Sequence, residues 1–113
     1  MSRDIVTLTD IYIALVGIRH FVAGMTKDEF VRDDKTNSAV LLKLMLIGEA
    51  IKRLSPDFRQ AHADLDWKGY AGFRDVLIHQ YDDVNLNTVW DIVSNELPVF
   101  FAQVERILPQ PPV

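Results

Sequence analysis

The segment AVLLKLMLI, residues 39–47, lies in the longest and most apolar stretch of the chain. It belongs to a predicted helix from about Lys35 to Leu54 that is apolar on nearly every face. Such a helix must be covered on most sides, so we expect it at the centre of the fold or against a partner. Ser55-Pro56 predicts its end, because proline disfavours helical backbone in the residue before it.

The flanking segments are predicted to be helical as well. In residues 4 to about 23, apolar side chains recur at three- and four-residue steps, as in an amphipathic helix. Residues 26–29 have the form of a capping box, which predicts a short helix to about Val31. Further helices are predicted over 56–63, from 67 to about 80, and from Asn85 onward, where Pro98 should kink or split the last one.

This pattern predicts an all-α fold, an antiparallel helical bundle of four long helical units with short extra helices. We expect one domain over residues 1–108 and a proline-rich C-terminal tail at 109–113. The chain has no cysteine, which excludes disulfides and thiolate metal sites. No apolar run approaches the roughly 18 residues that span a bilayer, and the first residues do not resemble a signal peptide. We therefore expect a cytoplasmic protein that does not bind a membrane.

The segment FRDVLIHQY, residues 73–81, carries the candidate chemistry. Arg74 offers a planar fork of donors that suits a phosphate, and His79 titrates near neutral pH. A phosphate clamp beside a proton acceptor is the minimum set of groups for cutting RNA without a metal. The net charge of −4 argues against loose, charge-driven binding to nucleic acid, so any RNA contact must be local.

Helix geometry limits how these groups can cooperate. Residues five apart on a regular helix point about 140° away from each other, so Arg74 and His79 of one chain cannot meet at one phosphate. Either the helix loosens near residues 78–80, or two copies of the chain pair so that their segments line one groove. Asp75 lies four residues before His79 on the same face, where it could fix the tautomer of the imidazole.

Simpler interpretations stand beside these. An arginine and a histidine on a bundle helix are often ordinary surface residues, and Gly48 indicates close helix packing. His79 with Asp82 and Asp83 has no recognised ligand spacing, so we predict no metal site and no cofactor. Several basic residues could form a cationic rim for RNA, or they could be ordinary solvated residues. This set comprises Lys43, Lys52, Arg53, Arg59 and Lys68. Within it, Lys52 and Arg53 are our candidates for RNA contacts.

The motif resembles that of HEPN-domain proteins, in particular the HepT-like toxins that are paired with a minimal nucleotidyltransferase (MNT) antitoxin. Their pattern is arginine, a polar residue, three mostly apolar residues, histidine, any residue and tyrosine, which residues 74–81 match. Asp75 is a variation, since asparagine is commoner there. The resemblance extends to IGEAIKRL at 47–54, WKGYAGF at 67–73 and VWDIV at 89–93, and covers residues 4 to 108.

The resemblance implies a metal-independent endoribonuclease that acts as a homodimer, with both motifs in a shared cleft. In the implied mechanism, His79 takes the proton of a ribose 2′-hydroxyl, Arg74 stabilises the charge on phosphorus, Asp75 orients His79, and Tyr81 contacts RNA. The cognate MNT antitoxin is implied to neutralise the toxin by attaching AMP to Tyr81. The alternative is a non-catalytic helical dimer that acts as an adaptor or nucleotide-binding partner of a nucleotidyltransferase.

Overall fold

The computed structural model describes residues 2–109, and this range contains helices and no strand. The helices are α1 Arg3–Val22, α2 Lys27–Arg32, α3 Asp34–Arg53, α4 Pro56–Ala61, α5 Trp67–His79, α6 Leu86–Asp91 and α7 Leu97–Ile107. A 3₁₀ turn at Tyr81–Asp83 and a π-helical turn at Ile92–Glu96 complete the set. The predicted all-α fold is confirmed. Residues 110–113 of the predicted tail lie outside the described residues.

Short polar side chains start the main helices. Each accepts a hydrogen bond from a backbone N–H in the first helical turn, which satisfies a donor that has no partner inside the helix. The capping box predicted at the start of α2 is present, because Thr26 and Glu29 bond reciprocally. The residues that cap in this way are Ser2, Thr26, Asp33, Ser55, Asp66 and Asn85.

Helix α3 lies at the centre of the bundle, as its sequence predicts. It packs against α1 on one side and α5 on the other, and Val40, Ile47 and Ile51 are fully buried. Asp4 at the start of α1 accepts hydrogen bonds from the backbone N and the Oγ of Ser55, just after α3, at 2.8 and 2.7 Å. The start of α1 therefore lies beside the end of α3, so these two helices are antiparallel.

The last helical unit is split, as Pro98 predicts. Proline has no N–H to donate to the carbonyl four residues earlier, so it interrupts the regular ladder. The π-helical turn lies immediately before it, and the N–H of Leu97 bonds the carbonyl of Ile92, five residues back. The backbone stays in the right-handed helical region at both ends of this turn. The chain therefore passes from α6 into α7 without a loop.

Helix α1 corrects two expectations. It has 20 residues, as α3 does, and it is the more apolar of the two, so α3 is not the longest and most apolar stretch of the described chain. By length and composition its 20 residues could cross a membrane, so the prediction that no apolar run approaches this length was wrong. A few charged residues such as Asp10 interrupt the run, but its mean hydropathy is still high enough for a membrane-spanning helix. Seven of its residues, Leu8, Ile11 and Ile18 among them, are buried in the bundle. Its apolar character is therefore used in the core of the described fold.

Candidate active site

Gly48 fixes the position of Arg74. A Cβ atom at residue 48 would lie 2.2 Å from the Cβ of Arg74 and 3.0 Å from the backbone oxygen of Tyr70. The first distance is far inside van der Waals contact and the second is a tight contact, so α3 and α5 approach each other here at a distance that suits glycine. The prediction that Gly48 serves close helix packing is confirmed. The stem of Arg74 is consequently held against the backbone of α3.

The guanidinium of Arg74 lies between two carboxylates. Its Nη2 is 2.7 Å from Oε2 of Glu49 on α3, and its Nη1 is 3.0 Å from Oδ1 of Asp75. The side chain is 25% exposed, so it is anchored yet still accessible to a ligand. Ion pairs of this exposure add little to stability, but two of them restrict where the guanidinium can point.

Asp75 joins this group to Lys52. The Nζ of Lys52 lies 2.5 Å from Oδ1 of Asp75, the oxygen that Arg74 also contacts. Hydrogen bonds from Lys52 and then Arg74 hold the pKa of Asp75 below its ordinary value, so the carboxylate is charged at neutral pH. In the described part of the chain no hydrogen bond joins Asp75 to His79. The role of Asp75 in orienting His79 stays a prediction.

His79 and Tyr81 lie together at the other end of the motif. His79 is the last residue of α5 and is exposed, and Tyr81, 48% exposed, starts the 3₁₀ turn that follows. Helix α5 stays helical through His79 and ends there, with Gln80 outside the helix, so the change within residues 78–80 comes too late to turn His79 towards Arg74. Arg74 and His79 therefore leave one helix in different directions, and the alternative with two copies remains a prediction.

Lys52 and Arg53, the two candidates for RNA contacts, lie on different surfaces. Lys52 contacts Asp75 and so lies beside Arg74. Arg53, the next residue, lines a cavity of about 250 Å³ between α1 and α3 together with Asp10 and Lys43. Adjacent helical residues point about 100° apart, which explains the separation. Their roles in RNA binding stay predictions.

Glu49 is the residue that sequence reasoning missed. It was noticed only as part of the segment 47–54, whereas the structure makes it the partner of the motif arginine from another helix. The available signal was Gly48: a glycine that lets α5 approach also places its neighbour next to α5. Within residues 2–109, no group of three or more His, Cys, Asp or Glu side chains is arranged to hold a metal ion.

Comparisons of the sequence with known proteins identify a family. The family model described as "Ribonuclease HepT-like" matches residues 11–107. The chain is 43% identical to a "Putative RNase" of Methanocaldococcus jannaschii over 89% of this chain and 84% of that protein. It is 34% identical to a "Probable ribonuclease HepT" of Thermococcus cleftensis over 88% of this chain and 91% of that protein. No solved structure gives a significant match.

A helical bundle that presents an arginine, a histidine and a tyrosine along one helix and its end is the arrangement of a HEPN-type domain. The chain belongs to the HepT-like ribonuclease family, as the family match and the similar proteins show. The resemblance drawn from the motif is thereby confirmed.

Proposed function

We propose that this protein is the toxin of a HEPN/MNT toxin–antitoxin system, a metal-independent endoribonuclease whose reacting groups are Arg74 and His79. The observation that carries the proposal is the placement of Arg74. A glycine contact and Glu49 hold it at one side of α5, while His79 is open to solvent at the end of that helix. Family membership supports a ribonuclease.

The proposed reaction is an internal transesterification. His79 takes the proton from a ribose 2′-hydroxyl, and the 2′-oxygen attacks the adjacent phosphorus. Arg74 binds the non-bridging oxygens, where negative charge grows in the five-coordinate transition state. The bond from phosphorus to the 5′-oxygen breaks, and that oxygen takes up a proton as it leaves. The products are an end with a 2′,3′-cyclic phosphate and an end with a 5′-hydroxyl.

We propose that a homodimer brings these groups to one linkage. Because α5 is regular through His79, the two side chains of one chain point about 140° apart, which supports a second copy as the source of one of them. Apolar side chains next to the motif are exposed in the single chain: Val76 and Ile78 are each 45% exposed. Leu42 and Leu46 on α3 are also exposed. Burying such side chains would favour pairing of two chains.

Tyr81 is proposed as the residue through which the antitoxin acts. Its ring is 48% exposed in a short turn beside His79, so an MNT enzyme could reach the hydroxyl. Attachment of AMP would add a negative phosphodiester and a bulky base next to the catalytic imidazole. Both would repel or block an RNA strand, by the same physics as an inhibitory phosphorylation.

Cleavage of RNA in the presence of EDTA tests the proposal. The expected result is metal-free cleavage that leaves cyclic phosphate ends and is reduced at least about 100-fold in His79→Ala and in Arg74→Ala. His20→Ala is the matched control, because His20 is also exposed but lies on α1. Circular dichroism should show an unchanged helix content in all variants. Full activity of either motif variant would remove the catalytic assignment.

One observation favours a second candidate, a non-catalytic dimer that serves as adaptor or nucleotide-binding partner of a nucleotidyltransferase. In the single chain Arg74 is neutralised by Glu49 and Asp75, which lowers its attraction for a phosphate. The same assay separates the two functions. An adaptor would bind the nucleotidyltransferase and leave RNA intact at any protein concentration.

A further inference from the structure

A broad groove runs beside the motif between α4 and α5. Its volume is about 840 Å³, the largest among the cavities described for residues 2–109. The end of α3 forms one edge, and Ala71 and Gly72 of α5 lie along it. No atom outside the local helix lies within 4 Å of where a Cβ of Gly72 would be, so this part of the groove is open.

The charge in this groove is opposite to that of the chain. Lys52, Arg59 and Lys68 line it, together with two carboxylates, Asp66 and Asp75. Both carboxylates already have partners: Asp66 accepts the N–H of Gly69 as the cap of α5, and Asp75 bonds Lys52 and Arg74. Three cations against two carboxylates leave one net positive charge on this surface of a chain of net charge −4, and Arg59 and Lys68 are the cations that do not pair with Asp75.

Arg59 has an unused donor in the same place. Its Nε is buried and has no hydrogen-bond partner among residues 2–109. A buried donor without a partner is unfavourable, and a donor on a charged group more so. Arg59 belongs to α4, and its side chain lines the groove. Because Nε is closed to solvent, an anion could reach it only if the side chain shifted towards the groove, so Arg59 enters the argument as a cation that lines the groove.

The groove is continuous with the proposed active site. Lys52 and Asp75 line the groove, and Asp75 also contacts the guanidinium of Arg74. A strand that leaves the phosphate at Arg74 enters the groove beside Asp75, whose negative charge is paired with Lys52 and Arg74. Arg53 and Lys43 are not part of it, since they line the separate cavity against α1.

We propose that this groove binds the sugar–phosphate backbone of single-stranded RNA next to the cleaved linkage, with Arg59 and Lys68 as the phosphate contacts. The inference rests on the proposed ribonuclease function and adds the path of its substrate. Recognition is by charge, without base stacking. Trp67, the aromatic residue of the groove, is only 5% exposed, and its Nε1 donates to the carbonyl of His62. Contacts to phosphates position a strand and carry no sequence information directly.

The test compares two double variants with the same change in net charge. Arg59→Gln/Lys68→Gln alters the groove, whereas Arg32→Gln/Lys35→Gln alters exposed residues of α2 and α3 that line none of the described cavities. Binding of a fluorescent 2′-O-methyl oligonucleotide is measured by anisotropy over a range of salt concentrations. This probe has no free 2′-hydroxyl and is not cleaved.

The groove variant is expected to bind about tenfold more weakly. Its plot of log affinity against log salt should be shallower by about 1.4, since each lost phosphate contact on a single strand contributes about 0.7. The control should stay within twofold of the unmodified protein. Because Arg59 is partly buried, Lys68→Gln alone, at an exposed position, provides a second variant that leaves the packing of α4 untouched. Equal losses in groove and control variants, or no loss in the groove variants, would overturn the inference.

Cleavage measured in parallel distinguishes failure of this inference from failure of the proposed ribonuclease function on which it rests. The groove variant should raise KM for RNA and keep most of kcat, because it removes binding away from the reacting atoms. If the unmodified protein cleaves RNA and the groove variant binds and cleaves normally, the groove assignment fails and the ribonuclease stands. If the oligonucleotide binds through the groove and no RNA is ever cleaved, the proposed function fails and the groove stands.

Discussion

Replacing Gly48 by alanine should destabilise the protein, although alanine is the better helix former. The added Cβ would lie 2.2 Å from the Cβ of Arg74 and 2.9 Å from its Cγ, where carbon atoms prefer a separation of about 3.5–4.0 Å. The Cβ of Arg74 and the nearby oxygen of Tyr70 are fixed to the α5 backbone and cannot rotate away. To relieve the contact at 2.2 Å, α3 and α5 must separate by more than about 1 Å, which is the difference between that distance and the preferred carbon–carbon separation.

The magnitude follows from two opposing effects. Overpacking in a well-packed interior costs about 1–3 kcal/mol, and a rigid backbone neighbour places this site at the upper end. The helical preference of alanine over glycine returns about 1 kcal/mol. The net loss is about 2 kcal/mol in the free energy of unfolding. For a domain of this size, that lowers Tm by roughly 10 °C.

Gly72→Ala is the matched control on α5. No atom outside the local helix lies within 4 Å of the position of its Cβ, so only the helical preference acts. This variant should be more stable than the unmodified protein by about 0.5–1 kcal/mol. Urea and thermal unfolding of both variants provide the measurement. A Gly48→Ala protein as stable as the original would refute the close approach of α3 and α5 and, with it, the account of how Arg74 is held.

Three further outcomes are expected. Hydrogen bonds from Ser55 hold the pKa of Asp4 below its ordinary value. The contribution of Asp4 to stability is therefore complete above that ordinary value and is lost as pH falls through the lower, folded-state pKa. Asp4→Asn should be less stable at pH 7, and urea unfolding should show this gap closing in acid. Asn37 is buried and donates to two carbonyls at the end of α2, so Asn37→Ala should cost about 1–3 kcal/mol in the same unfolding assay. Glu49→Gln removes a charge that competes with phosphate for Arg74, so steady-state cleavage should show a lower KM. The same change loosens Arg74, so kcat should fall as well. A raised KM would contradict the competition.

The sequence predicted the helices well because their signals are local. Caps such as Asn85, the capping box at Thr26 and the break near Pro98 each act within one or two turns of the chain, where residue type decides the outcome. The contact of α3 with both α1 and α5 also followed from its apolar residues, although Leu42 and Leu46 stay exposed in the single chain.

The candidate site could be predicted only in part because its contacts join different helices. Arg74, His79 and Tyr81 form a local motif, and the angle between Arg74 and His79 follows from the geometry of a regular helix. The pairing of Arg74 with Glu49 depends on how α3 and α5 pack, which spacing does not reveal. The apolar run at residues 76–78 illustrates the same limit. Consecutive helical residues point about 100° apart, so Leu77 is buried while its two neighbours are exposed.

The burial of the Arg59 Nε is likewise a feature that the sequence does not predict. An arginine on a short, mostly polar helix is expected to be solvated, and the neighbouring residues in the sequence do not indicate that its Nε is buried. Long side chains acquire their surroundings from the tertiary packing.

The π-helical turn at Ile92–Glu96 keeps the two halves of the last helical unit in phase with the bundle. Val89, Val93, Leu97 and Phe101 are all buried at intervals of four residues. On an ideal α-helix three such intervals would drift about 120° around the axis, and the wider turn absorbs this drift. Deleting one residue from the turn would make the helix more regular, yet it would rotate the apolar stripe of α7 away from α1. Here the irregular geometry is what aligns the side chains.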